Sequence, residues 1–182
     1  MISLTNNIFV YLTMQISIIK NFIVISFLSI IVSRLIPHPP NFTSTIAVAF
    51  YLPALFGVKY IIVATTAFIV CDLIIGAHPL ILFTWLGLIL VGLISQTFTK
   101  YYFRVPGVMI GCLIFFFVSN FGVWLLSDMY PQDIKGLTQC YIMGLPFLQN
   151  SLIGSLLFSL IIESMIIFKS TRTFIRKVNT NF

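Results

Sequence analysis

The chain has 182 residues, 59% of them hydrophobic and only 8% charged, with a mean hydropathy of +1.10. A soluble domain carries roughly a quarter charged residues, so this composition excludes a water-soluble globular domain and points to an integral, multi-pass membrane protein in a lipid bilayer. The net charge of +6 does not signal nucleic-acid binding, because the basic residues sit at the ends of apolar runs as membrane topology places them.

In chain order, residues 1–15 are mixed in character (Asn6, Asn7, Thr13, Gln15) and read as an interfacial lead-in rather than a separate span. No cleavable signal peptide is expected: the first basic residue is Lys20, and no small-residue cleavage site follows the apolar run that reaches Arg34. The first span is expected over 16–36, with Lys20 and Arg34 reaching opposite interfaces. A short second span, bent near Pro53, is expected over 43–58, a third over 60–77 and a fourth over 79–98. The fifth is placed at 105–127 and the sixth at 149–168, separated by a long connection, 128–148, whose apolar half (Leu137 to Leu148) lies in the interface or dips into the bilayer. The basic residues 169–182 form a cytoplasmic tail attracted to anionic lipid. Spans of about 20 residues match a hydrocarbon core about 30 Å thick, so the fold class is an all-α membrane domain of six helices.

Lysine and arginine in short loops set orientation. With both termini cytoplasmic, the inner side collects Lys20, Lys59, Lys100, Arg104, Lys169, Arg172, Arg176 and Lys177, and the outer side keeps Arg34 and Lys135. The reverse orientation inverts that ratio, so both termini are expected inside.

In this frame most polar residues fall in the outer half. The stretch 34–42, Arg-Leu-Ile-Pro-His-Pro-Pro-Asn-Phe, cannot continue a helix through Pro37, Pro39 and Pro40. It presents Arg34, His38 and Asn41 at the membrane surface. Asp72 and Asn120 lie inside spans, where an ionisable or amide group is costly without a partner or a wet cavity. Together with His78, Trp124, Tyr130 and Asn150 they outline an outer polar cavity, roofed by the proline-rich loop and the 128–148 connection. An Arg34–Asp72 ion pair is expected at its heart, with Asn120 free to bind substrate and Trp124 offering a stacking face. Glu163, alone near the inner end of the last span, is expected to meet an inner-loop lysine or arginine. Cys71, Cys112 and Cys140 lie far apart and form no paired metal motif, so neither metal centre nor cofactor is expected.

The run RLIPHPPNF at 34–42, Asp72 with Gly-x-His at 76–78, SNFGVW at 119–124, MYP at 129–131, CY at 140–141, LPF at 145–147 and N-x-x-x-G at 150–154 resembles a family of uncharacterised bacterial membrane proteins assigned to transport. The resemblance covers about 34–165. That family is similar in size and span count to the substrate-binding S components of energy-coupling-factor (ECF) vitamin transporters. The likeness implies a bacterial cytoplasmic (inner) membrane, a vitamin or metal bound near the outer face, and a coupling membrane subunit with two ATPases in trans. The chain has no Gly-x-x-x-x-Gly-Lys-Ser/Thr loop and cannot itself spend ATP. Metal-binding members carry a histidine beside the initiator methionine, whereas Met1 is followed here by Ile2 and Ser3. That departure argues against nickel or cobalt and leaves His38, Asp72 and His78 as a smaller candidate metal set. Coupling surfaces in the S components use small residues on the first span, which points to Ser29 and Ser33.

The expected function is therefore capture of a small organic solute, such as a vitamin or precursor, for uptake. A membrane assembly subunit without a small ligand is the alternative, its polar residues serving only to tie helices together. An intramembrane enzyme is the third reading, but both histidines fall in loops and no His-Glu-x-x-His or Gly-x-Ser-x-Gly occurs, so no catalytic residue is assigned.

Overall fold

The computed structural model describes residues 2–167, with side chains from Ser17 onward except Ile18. The basic tail with Lys169, Arg172, Arg176 and Lys177 lies outside the described residues. Among the described residues the secondary structure is entirely helical: α1 (Ile2–Leu35), α2 (Thr45–Phe56), α3 (Ile61–Ile75), α4 (Ile81–Ile94), α5 (Tyr101–Leu126) and α6 (Ile134–Ile167). One-turn 3-10 segments, Val58–Tyr60 and Ser95–Phe98, extend α3 at its start and α4 at its end.

Helix 2 is the centre of the bundle. Its sequence, TIAVAFYLPALF, is apolar on every side, and all of its residues are buried, as expected for a helix with no polar face. It touches each of the other five helices. Twelve residues rise only about 18 Å, so the helix sits wholly inside the domain. Pro53 is tolerated within it, and the carbonyl of Pro53 accepts a hydrogen bond from the Gln96 side chain at 2.8 Å. Gly57 and Gly76 end α2 and α3 with φ of 100° and 122°, a backbone region that side chains disfavour and glycine enters freely.

Around this centre, α5 packs between α4 and α6, and α1 against α3. The outer faces are strongly apolar: Leu73, Leu82, Ile62 and Leu160 are each more than 60% exposed. Such a belt has no place in water and is what lipid covers. Four segments, Val58–Ile75, Ile81–Phe98, Tyr101–Leu126 and Ile134–Ile167, are long and apolar enough to cross a membrane. The domain is a helical membrane protein.

Residues 2–15 are helical and continuous with the first span, so that α1 runs unbroken for 34 residues. Two expectations change. The connection expected over 128–148 is confined to residues 127–133, and the stretch from Leu137 to Leu148 belongs to α6. Asp133 supplies the reason: its Oδ1 accepts the amide of Gly136 at 2.7 Å, and its carbonyl accepts the amide of Leu137 at 3.0 Å. This is an N-cap that starts the helix far ahead of Pro146. Finally, α5 begins at Tyr101 rather than near 105, which puts Arg104 in its first turn, 4% exposed, instead of in a loop.

Candidate functional site

The short connections make successive helices antiparallel, so α1, α3 and α5 finish at the end of the bundle where α2, α4 and α6 begin. At that end lies a cavity of about 660 Å³. All six helices contribute to its wall, together with the loops 36–44, 76–80 and 127–133.

Arg34 is the charged group at the wall. Its Nη2 donates to Asp72 Oδ1 at 2.6 Å, and the guanidinium carbon stands 3.8 Å from the centre of the Phe68 ring. Asp72 itself is 1% exposed, and its second oxygen accepts the Trp85 indole N–H at 2.8 Å. The carboxylate thus faces back into the protein while the arginine lines the cavity. Two partners for a buried carboxylate meet the cost of its desolvation. The expected Arg34–Asp72 pair is present, but Asp72 positions the arginine and does not reach the cavity.

The proline-rich stretch closes one side. The carbonyl of Pro39 accepts the amide of Phe42 at 3.0 Å, and Asn41 has φ 64°. Proline followed by asparagine in left-handed backbone is the residue choice of a type II turn. This turn sets His38, Pro40 and Asn41 on the cavity wall. Asn150, from α6, donates to the Pro40 carbonyl at 3.0 Å. A Cβ added at Gly154 would stand 3.3 Å from Cα of Phe42 and N of Thr43, so α6 presses closely on the loop.

Of the nine expected substrate-binding residues, Arg34, His38, Asn41, His78, Asn120 and Tyr130 line the cavity. Asp72, Trp124 and Asn150 stand behind it. Trp124 donates its indole N–H to the Pro131 carbonyl at 2.9 Å, and its own carbonyl accepts the Gln132 amide side chain. It braces the 127–133 loop and offers no stacking face. Asn120 bonds its amide nitrogen to the Phe116 carbonyl one turn back at 2.9 Å, and its Oδ1 lies against the bare backbone of Gly144. His38 turns Nδ1 to the Pro39 carbonyl at 2.7 Å. His38, Asp72 and His78 do not assemble into a metal site, and no group of three His, Cys, Asp or Glu side chains suited to a metal forms among the described residues.

Ser33 is engaged within the chain. Its hydroxyl lies 3.1 Å from that of Ser44 and accepts the Ser44 amide at 3.2 Å, which ties α1 to the entry of α2. Ser29 lines a small cleft of about 60 Å³ between α1, α2 and α6.

At the opposite end a second buried cluster holds the helices together. Glu163 binds Arg104 through both carboxylate oxygens, Nε to Oε1 at 2.7 Å and Nη2 to Oε2 at 2.8 Å. Tyr51 donates to Oε1 at 3.0 Å, and Arg104 Nη1 reaches the Thr99 carbonyl at 3.2 Å. This joins α2, α5 and α6, and supplies the basic partner that Glu163 was expected to find. Tyr51, Phe68 and Trp85 were missed by sequence reasoning. Phe68 lies one helical turn before Asp72 and so shares its face, which was the available signal. Tyr51 and Trp85 sit in apolar runs where nothing local separates a buried donor from an ordinary aromatic.

A helical membrane domain with a polar-edged cavity at one end, sealed by a charged cluster at the other, is the class these features define. The model described as "Family of unknown function (DUF6580)" matches residues 14–176, and the chain belongs to that family. Comparison with the curated proteins and with the solved structures finds no match to this chain.

Proposed function

We propose that this protein is the solute-capturing subunit of a bacterial uptake system. It lies in the cytoplasmic membrane as six spans with both termini inside, and its cavity opens outward. The observation that carries this reading is the cavity itself. Its volume of about 660 Å³ lies in the range of small-molecule sites, roughly 300–1,000 Å³. Apolar side chains supply most of the wall's surface, and Arg34, His38, Asn41, His78, Asn120 and Tyr130 line it together with several serine and threonine hydroxyls, a mixture of apolar surface and placed polar groups that suits such a site. The eight-to-two split of basic residues supports the outward orientation. The absence from the sequence of a phosphate-binding loop makes coupling to a membrane partner and ATPases in trans the natural complement.

The reading is tested by screening purified protein against vitamins and their precursors by thermal shift, alongside uptake assays in a deletion strain. It predicts one compound class that both stabilises the protein and is taken up poorly by the deletion strain. If no compound stabilises the protein and no uptake defect appears, the assembly-subunit reading replaces it.

A further inference from the structure

The charge pattern of the wall goes further than its size. Arg34, His38 and His78 are the titratable nitrogen bases that line the cavity, and no aspartate or glutamate lines it. Asp72, the partner of Arg34, is turned away with both oxygens bonded, to Arg34 and to Trp85. The ion pair is therefore a dipole with its positive end toward the cavity. A guanidinium carries five N–H donors in a planar fork. Nη2 is held by Asp72 and Nε is buried away from the open space, which leaves the terminal edge of the fork to meet a bound group.

We infer that the cavity takes a small amphipathic monocarboxylate, its carboxylate at the Arg34 edge and its apolar body against Phe68, Phe115, Met143 and Phe147. This inference rests on the solute-capture reading. A planar carboxylate matches the guanidinium fork, and a charge-assisted bond there is about twice as strong as one to a neutral carbonyl. A cation would meet the positive end of the pair with no acid to receive it. A doubly charged phosphate suits the site less: Asp72 already balances the arginine, so every added negative charge is held only by the positive end of the pair, and desolvating two costs more than desolvating one.

The test compares matched probes on the full chain in detergent: 4-phenylbutyrate, indole-3-acetate and octanoate, their primary amides, tryptamine and octylamine as amines, and inorganic phosphate. Dissociation constants are read by ligand-observed NMR. The carboxylates are expected to bind about tenfold more tightly than their amides, with the amines and phosphate weaker still. In the Arg34→Gln/Asp72→Asn double variant, which exchanges the ion pair for two amides, the carboxylate advantage should disappear while amide binding stays within about twofold. Should that variant fail to fold, the wild-type ranking decides alone. Amides equal to carboxylates, or amines or phosphate above them, overturn the monocarboxylate and leave solute capture standing. Absence of binding by every class also overturns the monocarboxylate, while solute capture itself stands or falls with the vitamin screen and the uptake assay.

Discussion

Asp72 and Glu163 each hold an arginine inside the bundle, and they do so for different neighbours. Removing one partner of a buried pair strands the other charge and costs about 3–5 kcal/mol, more than the net worth of the pair itself. Asp72→Leu should therefore destabilise the protein strongly, because it leaves both Arg34 and the Trp85 indole without an acceptor. Asp72→Asn keeps an acceptor oxygen and should cost clearly less. Unfolding in mixed micelles ranks the two, and equal losses would mean that the carboxylate charge itself is the essential feature. Glu163→Leu should be at least as damaging, since Arg104 is only 4% exposed and spends two donors on that carboxylate. Asn120→Ala should behave oppositely. Its amide bonds back to its own helix, an arrangement that contributes little to stability, so solute binding falls while the melting temperature stays nearly constant. A melting temperature that falls as far as for Asp72→Leu would make Asn120 helix glue instead.

At the scale of elements, the boundary of α6 and the seat of the proline-rich loop are the instructive cases. Asp133→Ala removes the side-chain acceptor of the Gly136 amide and should cost about 1 kcal/mol, visible as faster amide exchange over the first turn of α6. Gly154→Leu should do more. The atoms that an added side chain meets are backbone, at Phe42 and Thr43, and backbone cannot swing aside. The loop must lift, so binding should weaken together with stability. A variant with unchanged binding would show that the loop does not shape the cavity. The spans from α3 to α5 were readable because long apolar runs end at glycine, proline and lysine. The start of α6 was not, because Gly136, Gly144 and Pro146 all look like breakers. The cap at Asp133 and packing against α5 outweigh those propensities. Depth along each helix was equally readable, and it brought six of the expected residues to one cavity. Direction around the helix was not, since it depends on which neighbour each face meets. That is why Asp72, Trp124 and Asn150 proved to brace the wall and not to form it.

For the whole molecule, the two arginine–carboxylate clusters lie at opposite ends of the central helix, and the cavity lies at one of them alone. The proposed orientation puts that end outside. A cysteine at Lys135, exposed at the start of α6, in a Cys-free background should react with a membrane-impermeant maleimide on intact cells. Reaction only after the inner face is opened would reverse the topology and, with it, the direction of capture. Filling the cavity shows whether it is a solute site. Ser119 lines the cavity on α5 and makes just a long bond of 3.4 Å to the Phe116 carbonyl, so Ser119→Trp should occupy the space without cutting a structural tie. Purified wild-type and variant proteins would be melted with and without a small-molecule extract of the cells that express them. A solute site gives a rise in melting temperature for the wild type, and for the variant a normal melting temperature with no rise. An equal rise in both proteins, or none in either, would contradict it.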